Sequence, residues 1–215
     1  MTKYIVFEGC DYTGKTYTAE SFVLFLKASN INCIYTKEPG SPHSVLCTKI
    51  RELILNNAKD IKNANTFSYL FAADSYEHMT SVVKNFIDQD VVVVSDRSMI
   101  SDYIYRPYLP YPYIREDNLN IFKKLNPHVV LMRASKKTIL RRYNNRNDTN
   151  DFEAEYVMNK IDKLSETYDN VLTKDTASLN LKRVSVFNND TDDDFNFKEL
   201  FNFLLGQILM DSDDK

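Results

Sequence analysis

Short apolar runs alternate along the chain with longer stretches whose apolar residues recur every three or four positions. That alternation is the signature of a parallel sheet covered by helices. The short runs predict strands over 3–8, 32–36, 91–95, 128–133 and 182–187. The longer spacing predicts helices over 15–29, 44–56, 65–87, 117–125, 136–143, 152–173 and 195–209. Val91-Val92-Val93-Val94 is β-branched and too apolar for a half-exposed strand, so it belongs in the interior of the sheet. Pro107, Pro110 and Pro112 forbid a regular helix across the tyrosine-rich stretch from Arg106 to Tyr113. No repeat or linker interrupts the 215 residues, so residues 1–215 read as one α/β domain. Residues 211–215 form a short acidic tail, expected to fray.

The chain has only four glycines, and two of them fall in Gly9-Cys10-Asp11-Tyr12-Thr13-Gly14-Lys15-Thr16, directly after the first predicted strand. This run fits G-x-x-x-x-G-K-[ST], a phosphate-cradling loop at the start of a helix. Glycines let backbone N–H groups converge on phosphate oxygens, Lys15 adds a point charge, and the Thr16 hydroxyl is suited to ligate magnesium. The expected ligand is a nucleotide phosphate, with residues 9–16 and the adjoining Tyr17 as its candidate contacts. A second signal closes the valine strand, where Ser95-Asp96-Arg97 puts a carboxylate and a guanidinium at a strand's carboxyl end. Ligands of open α/β sheets gather there, so Asp96 is a candidate partner of the magnesium shell and Arg97 a candidate phosphate clamp.

Charge and composition narrow the partners. With 27 basic and 30 acidic residues, a net charge of −3 and no basic tract, the chain has no general affinity for nucleic acid or anionic membranes. A nucleic-acid-derived substrate is therefore expected to be small. No apolar run approaches ~20 residues and the amino terminus lacks a signal-peptide pattern, which places the protein in a cytoplasm, a host's cytoplasm if the source is viral. Cys10, Cys33 and Cys47 show neither paired nor metal-ligand spacing and read as free thiols. His43, His78 and His128 are scattered and receive no chemical role.

These motifs, in this order, resemble those of the thymidylate kinase family. The marks are Phe7-Glu8-Gly9 leading into the loop, Thr36-Lys37-Glu38-Pro39-Gly40, Leu70-Phe71-Ala72-Ala73-Asp74, Asp96-Arg97 with Ser101 and Tyr105 beyond it, and Asn126-Pro127-His128-Val129-Val130-Leu131. The resemblance implies a P-loop NTPase fold of three α/β/α layers, with a five-stranded parallel sheet and a helical lid. It also implies ATP and Mg2+ as donor, dTMP as the small-molecule acceptor, and a homodimer. Residue by residue, Asp11 is similar to the loop carboxylate near the acceptor sugar's 3′-hydroxyl, while Lys15 and Thr16 serve donor phosphates and metal. Glu38 and Pro39 resemble the acceptor-side loop, and Arg51 an arginine facing the substrate. Phe71 matches the aromatic on which the pyrimidine stacks. Arg97 matches the arginine on the acceptor phosphate, with Ser101 beside it, and Tyr105 a tyrosine beneath the deoxyribose.

The chain also departs from the pattern. Ser75 stands where family members commonly carry a base-contacting arginine, and Arg106 where a glutamine commonly follows the tyrosine. The base site is thus rearranged, and dUMP or a 5-substituted dUMP joins dTMP as an expected acceptor. Some relatives place a catalytic arginine in the loop where this chain has Tyr12, so the arginine over the γ-phosphate is expected from the lid at about 141–151, with Arg146 first and Arg142 second. A deoxynucleoside kinase is the alternative: Asp96-Arg97-Ser98 with Ser101-Asp102 resembles its signature, and Glu8 stands where such enzymes often carry the base for a 5′-hydroxyl. A nucleotide-binding regulator without catalysis is the alternative of another class.

Overall fold

The computed structural model describes residues 2–56, 63–105, 116–145, 160–190 and 194–210. Five parallel strands form one sheet: β1 (Tyr4–Glu8), β2 (Cys33–Lys37), β3 (Val92–Asp96), β4 (His128–Arg133) and β5 (Arg183–Asn188), in the order β2-β3-β1-β4-β5. All five lie within a residue of the expected positions. β3 pairs with both β1 and β2, for example Val6 with Ser95 and Thr36 with Ser95, and every side chain of β3 is buried. Its run of valines therefore does sit inside the sheet.

Successive side chains of a strand point to opposite faces, and β1 shows the consequence. Ile5 and Phe7 join Phe22 and Leu26 of α1 (Lys15–Ala28) and Phe201, Leu204 and Ile208 of α10 (Asp194–Met210) in one core. Tyr4 and Val6 pack on the other face against a second set of helices. These are α5 (Met99–Tyr105), α6 (Glu116–Leu125) and α8 (Ile161–Asp169), which contribute Ile100, Phe122, Leu164 and Tyr168. Each fully buried side chain of this kind stabilises the fold by ~1.5–3 kcal/mol relative to exposure. The remaining helices are α2 (Val45–Asn56), α3 (Ala64–Glu77), α4 (Lys84–Asp88), α7 (Lys136–Asn144) and α9 (Thr176–Leu179). The result is three layers, helices on both faces of a parallel sheet.

Two features depart from the sequence expectation. The helix expected over 65–87 widens into a π-helical stretch at His78–Val83 between α3 and α4, which keeps His78, Met79, Val82 and Val83 buried. α5 and α9, of seven and four residues, have no counterpart among the predicted helices, being too short to show a helical period. Of the helix expected over 152–173, residues 152–159 lie outside the described residues; the rest is α8 and a π-helical extension over Asn170–Lys174. Arg106, Arg146, most of the 141–151 lid, the proline-rich stretch and the acidic tail also lie outside them.

Candidate active site

The loop between β1 and α1 sits over the carboxyl ends of β1, β3 and β4, where the sheet stops supplying hydrogen-bond partners. Its glycines are required by their surroundings. A β-carbon on Gly9 would lie 2.3 Å from the Met132 carbonyl oxygen, and one on Gly14 2.4 Å from the Asn189 amide nitrogen. Both residues hold positive φ, 143° and 91°, a region that L side chains rarely adopt. Asn189, just past β5, donates to the Thr13 carbonyl at 2.8 Å and so fixes the turn of the loop. Lys15 is buried, with Nζ donating to the Cys10 carbonyl at 2.5 Å.

Asp96 closes β3 beside α1. Its Oδ2 accepts from the Thr16 hydroxyl at 2.5 Å. Its Oδ1 is buried and accepts no hydrogen bond from the described residues. An unsatisfied buried carboxylate oxygen is costly, and this one adjoins a P-loop hydroxyl. That donor set fits a hard divalent cation that keeps most of its water and phosphate oxygens.

Arg97 follows in a left-handed conformation, φ 71°. This turns its side chain from the sheet toward the loop, where it pairs with Asp11. The Tyr105 hydroxyl donates to the other Asp11 oxygen at 2.7 Å, and the guanidinium lies 5.5 Å from the centre of the Tyr105 ring. Arg97 Nη1 also donates to Ser101 Oγ at 2.9 Å and to the Tyr168 hydroxyl at 3.1 Å.

The electrostatics follow from this crowding of cations. Burial, then the neighbouring Arg97 charge, lowers the pKa of Lys15; the same two causes in the same order lower that of Arg51. For Arg97 burial also works against the charge, but Asp11 and the surrounding oxygens outweigh it and its pKa is raised. For Asp11 burial pushes upward, and Arg97 and Lys15 overcome it, so its pKa is lowered. Three cations thus press on one another at the mouth of the loop, which favours an anion of several charges.

Across from the loop, β2 ends in Thr36-Lys37-Glu38-Pro39-Gly40, with a cis bond between Glu38 and Pro39. Arg51 of α2 donates to the Pro39 carbonyl at 2.8 Å. Glu38 is buried and engaged at both oxygens, by the Ser75 hydroxyl and by His78 Nδ1 at 2.9 Å, while His78 Nε2 meets Thr36 Oγ1 at 2.9 Å. Asp74 accepts from the Gly40 N–H at 3.1 Å, and burial followed by the Glu38 charge raises its pKa to about 7. Phe71, half-buried on α3, belongs to neither core cluster.

The structure therefore brings together Gly9, Cys10, Asp11, Thr13, Gly14, Lys15, Thr16, Asp96, Arg97, Ser101 and Tyr105. Tyr12 joins them through its carbonyl, which accepts from Arg142 Nη1 at 3.1 Å, and through an edge contact of its ring with Tyr143. Tyr17 does not join. Two residues past Lys15, a helix turns by some 200°, and the Tyr17 ring is 60 % exposed with its edge toward Phe197 of α10. Ser75 is turned inward to Glu38. Cys10 is buried and its thiol is pushed up to about 11, chiefly by burial, which leaves no thiolate to act as nucleophile.

Glu8, Ser98, Tyr168, His78 and Asn189 had no place among the expected contacts of the kinase site, yet all of them hold it together. A signal existed for two of them. Asn189 follows a strand's carboxyl end, and His78 lies three residues after Ser75, on the same helical face. Tyr168 had none, because only packing brings α8 over the loop.

A P-loop opening a helix beneath an Asp-Arg pair, on a five-stranded parallel sheet, defines a P-loop NTPase-type phosphate-binding protein. Comparison narrows the class: a thymidylate kinase family model matches residues 7–185, and the chain belongs to that family. It is 33 % identical over 129 residues to a thymidylate kinase of Mycoplasma genitalium, covering 59 % of this chain and 57 % of that one. It is 30 % identical over 129 residues to one of Ureaplasma parvum, covering 59 % and 54 %. These matches span little more than half of each relative. A thymidylate kinase of Maridesulfovibrio salexigens is 29 % identical over 210 residues, covering 92 % of both chains.

Proposed function

We propose that the chain transfers the γ-phosphoryl group of ATP to the phosphate of dTMP, supplying the diphosphate for dTTP synthesis. The observation that carries this is the gathering of Lys15, Arg51 and Arg97 around one cationic, anion-accepting space between the P-loop and the Glu38-Pro39 loop. Two phosphorylated substrates end to end bring the charge that such a space needs. Lys15 and the loop amides take the donor phosphates, Arg97 the acceptor phosphate, and Asp11 with Tyr105 the deoxyribose. Phe71 offers its face to the base, and Arg51 steadies the Pro39 carbonyl beside it. Thr16 and Asp96 would hold Mg2+, which supplies charge neutralisation between donor oxygens. Phosphoryl transfer asks the protein for alignment and electrostatics more than for covalent chemistry. Arg142, already at the Tyr12 carbonyl, and Arg146 are proposed to add the last positive charge when the lid closes.

Glu8 bears on the nucleoside-kinase alternative. Its carboxylate is buried and accepts from Ser98 N, Ser98 Oγ and Ser101 Oγ, each at 2.8 Å, so it is not free to take a proton from a 5′-hydroxyl. Ser75, spent on Glu38, offers the base no cation in place of the family's arginine, and we propose that dUMP is accepted nearly as well as dTMP. A well-made polar base contact is worth ~1–3 kcal/mol, enough to set such a preference.

The test is ADP release with Mg-ATP across dTMP, dUMP, dCMP, dGMP and thymidine. Turnover of dTMP with none of thymidine supports the proposal; turnover of thymidine alone overturns it. A preference for dTMP over dUMP above a hundredfold ends the dUMP part. A homodimer is proposed through α2 and α3, which pack together and expose Val45, Leu46, Leu53, Tyr69 and Tyr76. A monomeric mass by light scattering would overturn it. Three buried free thiols suit the proposed cytoplasmic setting, and no described helix is long and apolar enough to cross a membrane.

A further inference from the structure

Glu8 forms no part of the phosphate or base contacts above, yet it is among the most thoroughly buried charged groups of the molecule. One carboxylate oxygen accepts from the backbone and the hydroxyl of Ser98, both at 2.8 Å. The other accepts from Ser101 Oγ at 2.8 Å and from the Tyr168 hydroxyl at 3.3 Å. Ser101 Oγ is also the acceptor of Arg97 Nη1, at 2.9 Å. A serine hydroxyl has one proton. Once that proton is given to Glu8, only lone pairs remain on Ser101 Oγ, and these face the guanidinium, which can only donate. The Tyr168 hydroxyl lies 3.0 Å from Ser101 Oγ and 3.1 Å from Arg97 Nη1, so it belongs to the same directional set.

We infer that Glu8 is a positioning residue: by claiming the Ser101 proton it fixes the polarity of the Ser101 and Tyr168 hydroxyls and so holds Arg97 in place for an acceptor phosphate. The inference rests on the proposed role of Arg97. Asp11 anchors the other end of the guanidinium, and the two anchors together set its plane. An amide at position 8 keeps the shape and reverses the chemistry. Its oxygen is held by the two Ser98 donors, so its NH2 faces Ser101 and gives that hydroxyl a proton instead of taking one. Arg97 then meets a competing donor.

Two measurements test this. The first is a crystal structure of Glu8→Gln, which needs no substrate. Loss of the Arg97–Ser101 contact supports the inference, and its retention overturns it. The second compares wild type, Glu8→Gln, Ser101→Ala and the double variant at saturating Mg-ATP with dTMP varied. Each single variant should lower kcat/KM for the acceptor by about tenfold or more, the scale of one lost hydrogen bond to a charged group, with the ATP KM changed less than twofold. The double variant should be no worse than the poorer single one. Effects that multiply, or that fall equally on ATP and acceptor, overturn the inference. If Glu8→Gln fails to fold, Ser101→Ala and Tyr168→Phe carry the same comparison. A wild type inactive on every monophosphate would remove the proposed function, while the crystal structure would still decide the contact.

Discussion

Replacing Asp74 with asparagine isolates a buried carboxylate whose cost depends on pH. Asp74 is fully buried; its carboxylate accepts from the Gly40 N–H, while the Cys47 thiol donates to its backbone carbonyl at 3.7 Å. Burial first, and the Glu38 charge second, raise its pKa from 3.8 to about 7. A folded-state pKa above the unfolded one means that the native state binds the proton more tightly. Its contribution to stability is therefore most favourable below pH 3.8 and is lost as the pH rises toward 7. At ~1.4 kcal/mol for each tenfold change in proton affinity, a rise of this size corresponds to ~4 kcal/mol as an upper scale for that loss. The asparagine side chain cannot titrate, and its amide oxygen can still accept from Gly40. The stability of Asp74→Asn relative to wild type should thus climb by ~2–4 kcal/mol between about pH 4 and pH 7 and then level off. Urea unfolding of both proteins from pH 4 to pH 8 measures this difference directly, and titrations common to both cancel. A difference flat to within ~1 kcal/mol, or one that falls with pH, would refute the argument that this carboxylate is buried against its charge.

Other outcomes follow from the loop and the lid. Gly9→Ala, whose β-carbon would meet the Met132 carbonyl at 2.3 Å in a positive-φ conformation, should lose ~3 kcal/mol or more; an unchanged urea midpoint would show that the loop can shift. Lys15→Ala should abolish measurable ATP binding by calorimetry while leaving the melting temperature within a few degrees, and unimpaired ATP affinity would remove the phosphate-loop reading. Arg146→Ala should cut turnover by ~10³ on the arginine-finger scale, against which a fall of less than tenfold in steady-state assays would shift the role to Arg142. Arg97→Ala should raise the acceptor KM and depress kcat by ~10² or more with little change in ATP binding, and a selective rise in ATP KM would place it on the donor side.

How much of this was legible before folding depends on how local each signal is. The P-loop is written in eight consecutive residues, because its glycines, lysine and threonine act within one turn of backbone. The inner strands β1, β3 and β4 announced themselves as apolar runs, since an inner strand between two helical layers has no wet face, whereas the edge strands β2 and β5 are mixed in composition and partly exposed. Short α5 and the π-helical stretch at His78–Val83 left no such trace; one lacks the length for a period, and the other satisfies a packing demand of Met79 and Val83 that neighbouring sequence does not state.

The sequence alone thus determined the class of fold, the phosphate loop, the Asp96-Arg97 pair and the family, all of which reside in contiguous residues or in their order. Only the tertiary structure decided which groups share a hydrogen bond. It joined Glu8 to Ser101 across 93 residues and to Tyr168 across 160. It turned Ser75 from the base site toward Glu38, made His78 a partner of that carboxylate, and sent Tyr17 to the outside of α1. Directional bonds between distant elements depend on the angle at which helices settle on the sheet. That angle is set by the sum of many weak packing contacts, and no single stretch of sequence encodes it.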